Sequence, residues 1–305
     1  MPHFVYNKLS MISWDMHVFP VDKFPRTRDK LLAFGVPESE FVESGEATTE
    51  EIQAIHTPAF LSRIEDYAFR NPFEAVKEFE APCDLDIYDS FKTMCGGSIL
   101  ASKLALENKT FGFHIGGGFH HAFNGHGEGF CVLNDIAVAI QVLKNAGLVK
   151  KVTVIDVDVH QGNGTAHIFE NDKDVFTFSI HNDLLYPMLK MKSDLDIGLQ
   201  PGTGDTKYNS LLAEHVPQVL DSHKPELLVY VAGADPYIED KIGGLNLTIA
   251  GCKTRDEIVI GEAVKRNIPT MVCLAGGYAQ KTDDVATIHY NAAVTCIEKY
   301  GVKFN

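Results

Sequence analysis

From about residue 91 onward, short apolar runs alternate with helix-length segments carrying apolar residues at helical spacing. The runs are TFGFHI (110–115), KVTVIDVDV (151–159), DVFTFSI (174–180), ELLVYVAGA (226–234) and TMVCLAG (270–276). The helical segments are FKTMCGGSILASKLALEN, LNDIAVAIQVLKNAG, YNSLLAEHVPQVLDSH and TRDEIVIGEAVKRN. This alternation predicts an α/β fold with a mostly parallel central sheet and helices on both faces. Residues 1–80 read as helical and loop-rich. There Thr48 and Glu51 have capping-box spacing ahead of EEIQAIHTPAFLSRIEDYAF (50–69), and PCDLDIYDS (82–90) reads as a loop. No repeat or long linker divides the 305 residues, so a single domain over 1–305 is expected.

In open α/β sheets ligands bind outside the carboxyl ends of the strands. All five runs end in chemically loaded residues. The first enters GGGFHH, the second ends DVDVHQGNG, the third runs into HND, the fourth ends in Asp235 and the fifth in GGY. Their convergence predicts an active site along one edge of the sheet.

In KVTVIDVDVHQGNG, period-two alternation places Val152, Val154, Asp156, Asp158 and His160 on one strand face. Stacked carboxylates on a strand buried on both faces repel each other and resist burial unless a cation compensates. A four-coordinate catalytic metal needs three protein ligands and an open position. Asp158, His160 and Asp235 are the candidate ligands; such an oxygen-rich set suits Zn²⁺ and can also take Fe²⁺, Mn²⁺ or Co²⁺. Asp156 is then free to orient an imidazole through its N–H.

That imidazole is expected from the doublet His120–His121. If His120 pairs with Asp156 and His121 with Asn163, the two rings differ in basicity, since a carboxylate raises imidazole pKa more than an amide does. His121 is then the general base toward a metal-held water and His120 a protonated electrostatic stabiliser. Gly116, Gly117 and Gly118 let the chain pass close to the site. Tyr278, after LAGG, can donate to a developing oxyanion. His114, His126, His167 and His181 lack such a context and read as structural.

Composition narrows the partners. With 45% hydrophobic and 22% charged residues, and no apolar stretch of about 18 residues, the chain reads as a soluble globular protein rather than a membrane one. The start MPHFVYNKLSMISWDMHVFP lacks a secretory pattern, so a cytoplasmic location is expected. Six scattered cysteines suggest neither a disulfide framework nor a thiolate zinc site. A formal net charge of −14 argues against direct nucleic-acid binding and suits a cationic substrate.

The pieces GGGFHHA, GEGFCVLND, VIDVDVHQGNGTAHIF, VAGADP and LAGGY resemble, in order over roughly residues 90–280, the zinc-dependent histone deacetylases and their bacterial deacetylase-like and acetylpolyamine-hydrolase relatives. NGHGEGFC, DVHQGNG, IEDKIGGLNLTIAG and IHTPAFL are most similar to the class IV branch. The resemblance implies an arginase/deacetylase fold and Zn²⁺ on Asp158, His160 and Asp235. It also implies His120 and His121 as the histidine pair and Tyr278 as transition-state donor. Gly129 and Phe130 would form one wall of an acyl-lysine tunnel and Tyr186 the opposite wall, with Gly276 and Gly277 beside the substrate. K⁺ or Na⁺ would sit at Asp156, Asp158, His160, Ser179 and Ile180, and a second such ion at Phe169, Asp172 and Val175. Gln161 and Asn163 stand where class I members carry His and Asp. No acid in 82–90 matches the family's substrate clamp, so Asp84, Asp86 and Asp89 are unassigned.

The expected reaction is hydrolysis of an acetyl or longer acyl amide on lysine in a protein or peptide. An acylated polyamine is the alternative substrate. A manganese ureohydrolase would show D-x-H-x-D motifs instead of D-x-D-x-H, and a non-catalytic acyl-lysine reader would have lost a ligand, a histidine or the tyrosine.

Overall fold

The computed structural model describes residues 1–8, 14 and 17–304; residues 9–13, 15 and 16, within the N-terminal stretch read above for a leader, and residue 305 lie outside the described residues. Eight strands are present among them: β1 (Phe4–Val5), β2 (Phe41–Val42), β3 (Phe111–His114), β4 (Val152–Asp156), β5 (Val175–Asn182), β6 (Leu195–Leu199), β7 (Leu227–Val231) and β8 (Thr270–Cys273). They form one sheet in the order β2-β1-β3-β8-β7-β4-β5-β6. Every pairing is parallel.

All five apolar runs are strands, and every residue of β4, β7 and β8 is buried, as a sheet covered on both faces requires. β1, β2 and β6 carry no such run. The first two are two residues long at one edge, and β6 forms the other edge, where LDIGL is only partly covered. Sheet order also divides the chain: residues up to 114 supply β2-β1-β3, residues from 152 supply the other five strands, and the two parts join where β3 pairs with β8.

The helices are α1 (Lys23–Phe34), α2 (Thr49–Gln53), α3 (Pro58–Arg70), α4 (Pro72–Phe79), α5 (Leu85–Asn108), α6 (Asp135–Asn145), α7 (Asn163–Phe169), α8 (Asp205–His223), α9 (Ile249–Lys265) and α10 (Thr282–Tyr300). They pack as two groups: α1, α10, α9 and α8 in succession, and α5 with α6, α3 and the underside of β3 and β8.

The run 50–69 divides, and the loop expected at 82–90 needs correction. The run 50–69 is two helices, because Pro58 has no N–H for a continuing helix and Thr57 caps a new start by accepting from Phe60 N. The stretch 82–90 is not wholly loop: Asp84 accepts from Ile87 N as the N-cap of α5, and Asp86 and Asp89 lie on that helix. Asp89 pairs with Lys92 at 2.7 Å, an ordinary helix-surface contact. The Thr48–Glu51 capping box is present at the head of α2. All six cysteines are buried free thiols.

Candidate active site and metal centre

The site is built at the carboxyl ends of β3, β4, β7 and β8. β4 ends at Asp156, so Asp158 and His160 do not continue its pleat as the alternation predicts. They reach the site through two successive side-chain turns instead: Asp158 N donates to Asp156 Oδ1 at 3.0 Å, and His160 N to Asp158 Oδ1 at 2.9 Å. Each acid thereby fixes the next residue of the series.

Asp158, His160 and Asp235 converge, with one donor atom from each within 4.8 Å of the others, and all three are buried. His160 Nδ1 lies 3.1 Å from Asp158 Oδ1 and 3.3 Å from Asp235 Oδ2. Asp235 Oδ1 accepts from Val159 N, whereas the buried Oδ2 has no hydrogen-bond donor among the described residues. Burial, then the neighbouring Asp158 charge, raises Asp235 to about 7. Burial opposes charge on His160 too, yet the two carboxylates hold it up at about 10. The trio therefore demands positive charge at one point. Glycines keep that point clear: a Cβ on Gly276 would lie 2.0 Å from Asp235 Oδ2 and 2.6 Å from Asp158 Oδ2. A bare buried oxygen, a converging donor set and a glycine wall fit a divalent cation.

The doublet follows β3. Gly118, at φ 91°, has Ala275 packed so close that a Cβ would meet its backbone at 2.5 Å. His120 Nδ1–H donates to Asp156 Oδ2 at 2.6 Å, and His121 Nδ1–H to Asn163 Oδ1 at 2.7 Å. The two Nε2 atoms are 3.1 Å apart, and His120 Nε2 is 3.8 Å from Asp158. Burial works against charge on both rings. For His120 it is outweighed by the charges of Asp156 and Asp158, leaving a pKa of about 9; for His121 it is reinforced by His120 and His160, which keep it well below the ordinary value. The surroundings thus favour the protonated form of His120 and the neutral form of His121.

A cavity of about 200 Å³ leads to these groups and is lined by Gly129, Phe130, Leu185, Tyr186, Ile242 and Tyr278, with Glu80 at its mouth. Tyr186 stands perpendicular to His121, ring centres 4.9 Å apart, and Phe130 faces Tyr278 at 6.1 Å. A smaller space of about 20 Å³ lies at the site itself, lined by His120, His121, Asp158, His160 and Tyr278 together with Gly118. The Tyr278 phenol is pushed well above its usual pKa by burial and by Asp158 and Asp235. Its N–H donates to Asp240 at 2.6 Å, and Gly277 holds φ 139° just before it.

A family model described as the histone deacetylase domain matches residues 17–293. The chain belongs to the histone deacetylase family. An uncharacterized protein of Picosynechococcus is 35% identical over 274 residues, covering 90% of both chains. Histone deacetylase 2 of Arabidopsis thaliana is 30% identical, covering 88% of this chain and 71% of its own. A probable deacetylase of Archaeoglobus fulgidus is 28% identical over 85% and 75%. The crystal structure of the HDA15 HD domain superposes with a TM-score of 0.77 at 21% identity, covering 99% of this chain and 91% of that one. The fold is therefore that of a histone deacetylase domain.

Within this histone deacetylase fold the expected cation residues stand as follows. Asp156 pairs with Ser179 across β4 and β5, and Ser179 Oγ shares a hydrogen bond with His181 Nδ1 at 3.0 Å. At the peripheral group, Phe169, Asp172 and Val175 are linked through backbone bonds, and the Asp172 carboxylate is paired with Lys144. His114 is buried against Ser98, His126 and His167 lie near Glu128 and Glu170, and none of these joins the site.

Several supporting residues carry no sequence signal of their own. Asp135, in the first turn of α6, accepts from Gly118 N at 3.0 Å and Phe119 N at 2.8 Å and so holds the glycine turn. Lys23, fully buried, donates to Ala275 O at 2.6 Å. Burial lowers its pKa to about 8 against the pull of Asp235, Asp158 and Asp240. Arg255 donates to Gly233 O at 2.6 Å beneath Asp158. Helical spacing hides each of these among core positions; only the N-D pair opening α6 marks a helix start.

Proposed function

We propose that this chain hydrolyses an N-acetyl amide on a lysine-type side chain, with Zn²⁺ on Asp158, His160 and Asp235. The observation that carries the reading is a histidine pair, one ring on Asp156 and the other on Asn163 with Nε2 atoms 3.1 Å apart, beside a three-residue cation site and a buried phenol. When bound, the ion supplies Lewis-acid polarisation of the amide carbonyl and lowers the pKa of water. His121 Nε2 accepts the proton of the attacking water, its Nδ1–H fixed on Asn163. His120, kept protonated by Asp156, stabilises the negative charge that develops, and the proton collected at His121 returns to the leaving amine. Tyr278 donates its O–H to the oxyanion.

The space of about 20 Å³ among His120, His121, Asp158, His160 and Tyr278 has room for about one water-sized group, which supports acetyl over long fatty acyl. Glu80 at the mouth favours a cationic substrate, so an N-acetylpolyamine is the second reading. The segments GEGFC and DVHQGNG support a class IV reading. The test is to compare acetyl-lysine peptide, myristoyl-lysine peptide and N-acetylpolyamine as substrates of metal-analysed protein, with and without chelator. The acetylated substrates should turn over at least about tenfold faster than the myristoylated one, chelation should abolish turnover and zinc restore it. No turnover of any of the three by folded, zinc-loaded protein overturns the reading.

A further inference from the structure

In the segment GEGF, Gly129 and Phe130 line the cavity, but Glu128 turns the other way. Asn163, 1% exposed, presents its Oδ1 to His121 Nδ1 at 2.7 Å and donates from Nδ2 to Glu128 Oε1 at 2.6 Å. The imidazole and the carboxylate therefore sit at opposite ends of one amide. Tyr186 also faces Glu128, which together with burial raises its phenol pKa, and the Tyr186 ring stands against His121. The Glu128 backbone is pinned by reciprocal bonds with Cys131 at 3.2 and 2.9 Å. Gly129, at φ 54°, is the position where a Cβ would strike both His121 and Tyr186 at 2.7 Å. The chain thus skirts the imidazole at Gly129 and sends Glu128 behind it.

We infer that Glu128 is a positioning residue: its carboxylate fixes the orientation of the Asn163 amide and, through it, the ring and proton of His121. An amide alone can flip and present its NH₂ to His121, which would force the ring to turn its lone pair away from the cavity. A carboxylate accepting from Nδ2 forbids the flip, since flipping would set two acceptors face to face. The bond is charge-assisted and polarises the amide oxygen toward His121. The partner behind His121 is therefore a neutral amide anchored by an acid. The role of Glu128 in turnover rests on the proposed hydrolysis, whereas its hold on Asn163 does not.

The experiment measures kcat and KM for the acetyl-lysine peptide in wild type, Glu128→Ala, Glu128→Gln, Asn163→Asp and the double variant Asn163→Asp/Glu128→Gln. Glu128→Ala should lower kcat about tenfold with KM within about twofold, and Glu128→Gln, which can still accept from Nδ2, should lose less. Asn163→Asp opposes two carboxylates and should lose more than about tenfold. Adding Glu128→Gln, whose amide donates to the new carboxylate, should recover most of that loss. Alongside, solvent exchange of the Asn163 side-chain NH₂ is followed by ¹⁵N NMR, the resonance being assigned by its absence in Asn163→Asp. Its protection should fall about tenfold in Glu128→Ala and persist in Glu128→Gln. Unchanged exchange in Glu128→Ala, or additive kinetic losses in the double variant, would overturn the inference. A wild-type chain inactive on every amide would sink the hydrolase reading alone, leaving the exchange measurement to decide this one.

Discussion

A phenol held well above its ordinary pKa remains a donor at every working pH, and burial beside Asp158 and Asp235 makes Tyr278 such a group. Tyr278→Phe removes one oxygen from a cavity wall and leaves the ligand trio untouched. It should lower kcat by about 10²–10³ with KM and bound zinc unchanged, read by steady-state kinetics and metal analysis. At this scale the sequence was legible where chemistry is concentrated. His120, His121, Asp156 and Asn163 stand in short polar stretches after apolar runs, and their pairing follows from which imidazole needs which partner. Glu128, Lys23 and Arg255 were not legible, because none stands in a cluster of chemically loaded residues after an apolar run: Glu128 sits between two glycines, and Lys23 and Arg255 lie on helices among core positions.

Among elements, α6 is coupled most directly to the site. Its first turn places the Asp135 carboxylate under Gly118 and Phe119, where it accepts two backbone N–H groups and a Ser98 hydroxyl. Asp135→Asn would turn an NH₂ toward some of these donors and strip the charge from the others. An expected loss of about 2 kcal/mol in denaturant unfolding follows, with a drop in turnover because the doublet is no longer held. The pattern found the long interior elements and missed the edges. β4, β7 and β8 are apolar because both faces are covered, while β1 and β2 are two residues each and β6 alternates at an open edge. The start of α5 was hidden by its own acids, Asp84, Asp86 and Asp89, whose density reads as loop until Asp84 is seen as a cap.

For the molecule as a whole, buried imidazoles set the acid limit. Burial lowers His56 to about 4 and His114 to about 3, and it lowers His289 well below the usual value, helped by Lys23 and Arg255. These rings are neutral in the fold and protonate near 6.5 once unfolded. The unfolded state therefore binds more protons below that pH. Stability falls as pH drops from about 6.5 toward the folded values, on the order of 1 kcal/mol per pH unit for each ring. Neither nitrogen of His289 has a partner among the described residues. His289→Leu should accordingly match wild type at pH 8 and exceed it by about 2 kcal/mol at pH 5 in chemical denaturation.

The pairing of β3 with β8 has a consequence at this scale as well. The candidate ligands and Tyr278 belong to the chain after residue 152, and the two histidines to the chain before it. The candidate site is thus an internal interface, and the bonds His120–Asp156 and His121–Asn163 are fasteners across it. Distances among the three candidate ligands are a property of one half, but the distance from His121 to them is a property of the joint. Residues such as Phe111, Thr270, Gly118 and Ala275, which have no chemistry of their own, act as the adjusting screws of the proposed reaction.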